Sequence, residues 1–559
     1  MRRAVSVVIV SALVGAAAAF GGSAAAVADD DADDVVPSLA DALAAAADDG
    51  ADTAAELAAA VGLPEAGAGS LAVDASGDVA ATVTFDGRPS ETELDAVRAL
   101  ATIDTVYRFA PAAAVTVASE LLDDLADLPG VVSVVPVTDP AIGGAAVGAA
   151  DPVRMLPASS AASRRAFPSD ALEPLAVDIA RTAFDVDGTG VTVGVISDSF
   201  GSAPGQVTDP AEDVALGVLP GPGNPCGYDT PVTVLADLAA GDGTDEGRAM
   251  LQLVHGIAPG AELLFHTGQG GAEAMADAIV ALAEAGADII VDDLAYLTEP
   301  HFQQGFDEPA SPVPAVSWAQ PVYGLTTSLI PQLYIDGAEG AELVSGLAVL
   351  DPNNPVIVAG LTGGRSTVEG EVDLVILRPI DPSPDAVPST PAVWTFLWGG
   401  HEELAAREYD TSVGEDRVGL RGNGHAADGS AIGVAAVNWR YPDVPEEYSS
   451  PAAGTVHLEP VSFGPDAAPV PSPAYPAPLA VPGPWIAAVD GNRTSFFGDT
   501  RVVDGQTQYF FFGTSAAAPN AAAVHALALD RGPTSLGRPD TASNSSSARP
   551  LSPASIRMR

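Results

Sequence analysis

The run Val191-Thr192-Val193-Gly194-Val195-Ile196 is apolar almost without a break and stops at Ser197-Asp198. A strand with no polar face suits a parallel sheet covered on both sides. The polar residues at its carboxyl end fall where open α/β sheets build their sites. Working outward, Glu246 to Val254 has helical periodicity, Glu262 to His266 reads as a strand, and Ala272 to Ala285 reads as a helix. Ala287 to Val291 is a second buried strand, ending at Asp292-Asp293, and Ala431 to Val437 is a third. This alternation predicts an α/β fold: a doubly wound, mainly parallel sheet with helices on both faces.

Around this unit the chain divides by texture. Arg2-Arg3, the apolar residues 4–20 and Ala26-Val27-Ala28 have the layout of a secretory signal peptide over 1–28, so a secreted, extracellular protein is expected. Residues 29–140 read as a small α+β unit: an Ala-rich helical stretch (37–61), an alternating run (Leu71 to Phe85), a helix (Ser90 to Leu100), a strand pair (103–118), a helix (Ser119 to Leu128) and a strand (Val131 to Val137). Residues 141–174 form a linker containing Arg164-Arg165. Residues 175–530 hold the main domain, with insertions at about 300–425 and strand-like runs at 355–359, 372–378 and 393–398. A Pro-Ala-Val-rich stretch (465–484) reads as a surface loop, and 531–559 as a disordered tail.

Composition excludes several functions. Of 559 residues, 74 are acidic and 23 basic, giving a net charge of −51, and every basic residue is arginine. Without lysine there is no phosphate-loop lysine, Schiff base or Ser-Lys dyad. The acidity argues against nucleic acid as a partner, because phosphate backbones are held by clustered cations. At 47% apolar residues the chain is too hydrophobic for an acidic disordered protein. After signal cleavage no segment is expected to enter a membrane. The single cysteine, Cys226, permits no intrachain disulfide. Asp185 to Gly190 and Asp242 to Asp245 look like calcium loops but lack the twelve-residue ligand spacing, so no metal or other cofactor is assigned. Asn492-Arg493-Thr494 and Asn544-Ser545-Ser546 match glycosylation acceptors.

The segment that carries chemistry is Phe512-Gly513-Thr514-Ser515-Ala516-Ala517-Ala518-Pro519. A serine at the mouth of a helix sits in the positive field of the helix end, and its backbone N–H can stabilise an oxyanion. The segment closely resembles the nucleophile motif of the subtilisin-like serine peptidases, the subtilases. Val193 to Ser199 resembles their aspartate strand, and Ile257-Ala258-Pro259-Gly260-Ala261 resembles the segment after their histidine helix. Ala431 to Val437 with Tyr448-Ser449-Ser450-Pro451 resembles the stretch before the nucleophile. The chain order Asp, His, Ser is that of subtilisin itself. The resemblance covers roughly 180–530 and implies a serine endopeptidase acting through an acyl-enzyme on protein or peptide substrates, made as a zymogen and expected as a monomer. It also implies a ferredoxin-like propeptide over 29–140, which would fold the enzyme and inhibit it.

The departure lies at the histidine. Where the family has His at the start of a helix, this chain has Asp245-Glu246-Gly247-Arg248, directly before the matching Ala-Pro-Gly segment. His255 follows nine positions later, on the opposite helix face, and reads as a C-terminal helix residue. Sedolisins, relatives of the subtilases, use Ser with Glu and Asp, so the resemblance implies Ser515 as nucleophile, Glu246 as base and Asp198 as its orienting partner. They also use an aspartate at the oxyanion position, which by register points to Asp292, with Asp293 one slip away. A protonated carboxyl can donate to an oxyanion, and adjacent carboxyls share protons. Because glutamate titrates lower than histidine, an acidic optimum is expected unless burial raises the pair. A catalytically inactive binding protein on the same scaffold is the alternative.

Overall fold

The computed structural model describes residues 37–142 and 168–296 almost throughout, most of 431–532, and short strands at 4–9 and between 315 and 407. The surroundings of Arg164-Arg165, the tail beyond Gly532 and the Asn544 acceptor lie outside the described residues. Residues Ala4–Ile9, inside the expected signal segment, form a strand parallel to Val372–Leu377.

In the first unit the Ala-rich stretch forms two helices, α1 (Leu39–Asp48) and α2 (Ala54–Val61), rather than one. Ser38 and Thr53 each accept the backbone N–H three residues on, starting a separate helix. There follow β1 (Val79–Phe85), α3 (Glu91–Arg98), β2 (Thr102–Val106), β3 (Ala112–Val117), α4 (Leu122–Ala126) and β4 (Val131–Pro136). The four strands make an antiparallel sheet in the order β2-β3-β1-β4. Leu39, Leu43, Leu57, Val83, Leu122 and Leu125 fill one core with it. The next strand, β5 (Ala141–Ile142), leaves this unit.

The second unit contains α5 (Val177–Phe184), β6 (Thr192–Ser197), α6 (Pro210–Ala215), β7 (Thr233–Ala236), α7 (Glu246–Ile257), β8 (Glu262–Thr267), α8 (Ala272–Glu284), β9 (Ile289–Asp292) and β10 (Leu294–Ala295). A four-stranded parallel sheet runs β9-β6-β8-β7. Further on, β11 (Val434–Asn438) pairs in parallel with β12 (Ile486–Asp490). They are followed by β13 (Asn492–Thr494), β14 (Asp499–Val503), β15 (Gln506–Phe511) and the long α9 (Thr514–Asp530).

The period-two alternation of β6 sorts the helices onto opposite faces. Val193 and Val195 pack with Ala249, Leu253, Ala516 and Ala523 of α7 and α9. Ile196 packs with Met275, Ala278 and Leu282 of α8. The expected α/β arrangement, parallel strands with helices on both faces, is therefore present. The insertion strands also fall where expected, at Asn354–Val358, Val372–Leu377 and Trp394–Leu397.

Two elements differ from the sequence reading. Within 465–484, Ala474–Val481 is a strand paired antiparallel to Gly454–Leu458. Pro476 and Pro478 lie two apart, so their missing N–H groups share one edge and the other edge stays free to pair. The antiparallel sheet β13-β15-β14 was not anticipated either. Among the described residues, no helix is long and apolar enough to cross a membrane.

Candidate active site

Asp198 directly follows β6 and Asp293 directly follows β9, so both lie at the carboxyl ends of adjacent parallel strands. Glu246 is the first residue of α7, and Ser515 is the second of α9. Both helices cover the same sheet face, so their N-terminal ends meet there. Asp198, Glu246 and Ser515 are at most 2% exposed.

The carboxylate of Asp198 is saturated with donors. Its Oδ1 accepts the N–H of Ser199 at 2.5 Å and of Glu246 at 3.1 Å. Its Oδ2 accepts the N–H of Thr244 at 2.5 Å and the Thr244 hydroxyl at 2.7 Å. Burial raises its pKa, and these four bonds oppose the rise. Asp198 thus grips the turn that delivers Glu246, through backbone rather than through the Glu246 side chain.

The Glu246 side chain meets Asp293 and Ser515 instead. Burial holds its pKa well above the ordinary carboxylate range. The charge and hydrogen bond of Asp293 raise it further, then Asp198, while the Ser515 hydroxyl pulls it down. For Asp293, burial is the main cause of a rise to about 7, opposed by hydrogen bonds with Glu246 and Ser197. Glu246 Oε1, both Asp293 oxygens and Ser515 Oγ are buried with no hydrogen bond of good geometry. The contacts are therefore close but loosely aligned, as catalytic groups often are without substrate.

Asp292, the residue placed here from sequence, does not face this pair. Ile290 and Leu294, two positions either side of it, pack with α8, whereas Val291 packs with α7 and α9. By alternation Asp293 shares the face of Val291 and meets Glu246, and the neighbour is the one that turns inward.

Sequence reasoning also missed the scaffold behind Glu246. Asp245 adopts φ +61, a left-handed conformation that an aspartate tolerates. Its carboxylate accepts Ala203 N–H at 3.0 Å and Arg248 Nε and Nη2 at 3.2 and 2.9 Å. Arg248, itself fully buried, also binds Asp213 and stacks 3.7 Å from the Phe496 ring centre. Gln252 and Ser495 complete the shell of Asp213 at 2.9 and 2.6 Å. The available signal was an arginine at the third position of a mostly apolar helix, three residues after an aspartate.

The remaining candidates take structural places. His255 is buried on α7, edge-on to Tyr228 at 5.5 Å. Asn492 is 1% exposed and accepts a hydrogen bond from Asn520, so the folded chain does not present it as a glycosylation acceptor. In the Asp185 to Gly190 turn, Asp187 accepts from Thr189, and Asp530 accepts the N–H groups of Asp187 and Gly188. Among the described residues, no group of three or more His, Cys, Asp or Glu side chains is arranged to hold a metal ion.

No protein-family model and no curated protein matches the chain. Solved structures resemble it weakly. Fervidolysin from Fervidobacterium pennivorans, a keratinolytic enzyme related to subtilisin, is 12% identical at a TM-score of 0.32, over 81% of this chain and 55% of that one, so the match spans about half of fervidolysin. The CspB protease of Clostridium perfringens is 11% identical at 0.32, over 65% and 88% of the two chains. The epidermin leader peptide processing serine protease of Staphylococcus aureus is 10% identical at 0.32, over 81% and 89%. The functional reading rests on the side chains around Ser515.

Proposed function

We propose that the chain is a secreted serine endopeptidase with a subtilase-like main domain, in which Ser515 is the nucleophile and a buried Glu246–Asp293 pair is the base. One observation carries this: the buried Glu246 side chain lies close enough to both the Ser515 hydroxyl and a second buried carboxyl, Asp293, for each of them to shift its titration. Two adjacent buried carboxyls hold one proton between them, so one stays anionic while the other donates. With the shared proton on Glu246 and Asp293 ionised, Glu246 passes its proton to Asp293 as it takes the Ser515 proton and Oγ attacks a peptide carbonyl. Protonated Glu246 then passes that proton to the leaving amine, and water repeats the steps in reverse on the acyl-enzyme. The oxyanion is assigned to the Ser515 N–H, which lies in the first turn of α9, where N–H groups have no intrahelical acceptor. Asp198 keeps a positioning role through the backbone N–H of Glu246.

Burial changes the pH expectation. Below its first titration the pair is fully protonated and contains no base. The rate rises as one proton leaves, and burial has lifted Asp293 to about 7, so the optimum moves from acid toward neutrality.

Residues 29–140 are assigned as a ferredoxin-like propeptide, supported by the β-α-β-β-α-β order and the strand order of its sheet. Its exit strand β5 pairs antiparallel with β10, directly after Asp293, so the departing chain lies beside the site.

A fluorophosphonate probe, applied from about pH 4 to pH 8 after separation of the propeptide, tests the assignment. Covalent labelling that disappears in Ser515→Ala is expected. Absence of labelling across that range would mark a catalytically inactive binding scaffold.

A further inference from the structure

The register of β13-β15-β14 places Arg493 opposite Phe510, Asp499 opposite Phe510 and Arg501 opposite Gln508. Directly opposed residues share a sheet face, so Arg493, Arg501, Asp499 and Phe510 lie together, in line with Phe512. Arg501 stands 5.4 Å from the Phe510 ring centre and 5.5 Å from that of Phe512. Arg440, in the loop after β11, joins them. Its guanidinium lies over Trp439 at 4.7 Å, and burial first, then the positive charges of Arg501 and Arg493, disfavour its own.

Three arginines gathered on one face repel one another, in a chain whose acidic residues outnumber its basic ones 74 to 23. Asp170, which holds Arg493 in a fork at 2.7 and 2.9 Å, and Asp499 stand against them among the described residues. Among the described residues neither Arg440 nor Arg501 makes an ion pair, and Arg440 Nε is buried without a hydrogen-bond acceptor. Beside them Tyr441 and Val444 are 60% and 62% exposed. Arginine fork donors and exposed aromatic surface are the usual elements of a peptide contact that reads carboxylates.

The face adjoins the nucleophile. Phe512 precedes Ser515 by three residues, at most ~10 Å of backbone. The two are also joined at β12, where Asp490 accepts the Gly513 N–H at 3.0 Å and Gly491 leads directly into β13.

We propose that Arg440 and Arg501, with Arg493, form a subsite for a carboxylate of the peptide substrate, either an Asp or Glu side chain or a free C-terminus. This rests on the serine peptidase reading above, but binding tests it without catalysis. The full chain carrying Ser515→Ala, freed of its propeptide, is titrated with the fluorescein-labelled peptide Ala-Ala-Ala-Leu-Ala-Glu-Glu-Ala, its Gln-Gln twin and its C-terminal amide, at about pH 6 and low salt. The Glu peptide should bind at least about tenfold tighter than the Gln twin. Arg501→Gln, and Arg440→Gln with it, should remove most of that preference while changing the Gln twin less than about twofold. On the parent protein, about 300 mM salt should shrink the preference, a readout that needs no further variant. A Glu preference that amidation leaves unchanged assigns the subsite to a side chain, and equal Glu and Gln binding that amidation weakens at least about tenfold assigns it to the C-terminal carboxylate; either result supports the proposal. Equal binding of the Glu, Gln and amidated peptides, or a carboxylate preference that survives both substitutions, overturns it. A Glu preference in a protein that fluorophosphonate never labels would leave the subsite standing and remove the peptidase reading.

Discussion

Replacing Asp293 with asparagine conserves shape and removes the buried carboxyl that meets Glu246. In the folded chain burial lifts Asp293 from 3.8 to about 7, so the folded state holds this proton more tightly than the unfolded state does. For an acid raised in this way, the stabilising contribution is fully present below the unfolded value and is lost as pH rises through the folded one. Roughly three pH units at 1.36 kcal/mol each give a loss of at most about 4 kcal/mol by pH 8, an upper bound because the proton is shared with Glu246. Asparagine has no charge to desolvate. Asp293→Asn should therefore match the parent near pH 4 and exceed it in stability near pH 8. With an unfolding entropy of about 2.1 cal/mol/K per residue over roughly 350 residues, the full effect is a Tm gain of about 5 °C. Thermal unfolding followed by circular dichroism at steps between those pH values measures it. Equal pH dependence of Tm in the two proteins would refute the buried pair. The same variant frees Glu246 from its largest raising influence after burial, so the acid limb of kcat/KM should move to lower pH.

Glu246→Gln should lower kcat by at least about 10³-fold while leaving the fold as stable as the parent, or more stable, at about pH 8; steady-state cleavage and Tm measure both. Arg248→Met leaves Asp213 and Asp245 buried without their cation. It should cost about 3–5 kcal/mol in denaturant unfolding, with part of the loss recovered by adding Asp213→Asn. Gly247→Ala should also destabilise strongly, by about 2 kcal/mol or more, because its Cβ would overlap the Phe265 ring and stand 2.8 Å from the Ser199 carbonyl oxygen. A Tm within a degree of the parent would contradict that packing.

The parallel sheet was legible because Val191 to Ile196 and Ala287 to Val291 are apolar at nearly every position, a pattern set by burial on both faces. The nucleophile helix was legible because Gly513, at φ +113, needs the backbone freedom of glycine, and Ala516 and Ala517 after Ser515 are fully buried. The choice between Asp292 and Asp293 was not, since adjacent residues of one type give no local clue to their faces; it needed the neighbours Ile290, Val291 and Leu294 assigned to helices. The Arg248 cluster joins residues 35 positions apart through side chains alone, which periodicity does not report. The strand Ala474–Val481 was hidden by its prolines, which a central strand would exclude and an edge tolerates.

The site contrasts two treatments of one functional group. Asp198 accepts four hydrogen bonds, three of them from backbone N–H groups, and these favour its anion against the burial that disfavours it. Glu246 and Asp293 are buried a few ångströms away with almost no donors except each other, and they retain a proton where exposed carboxyls lose theirs. Removing donors from Asp198 and supplying them to Glu246 would reverse the two roles. The base is therefore defined less by its being a glutamate than by the donors withheld from it. Of the 74 acidic residues that make the chain so negative, those able to accept a proton from Ser515 are the ones the fold leaves unsolvated.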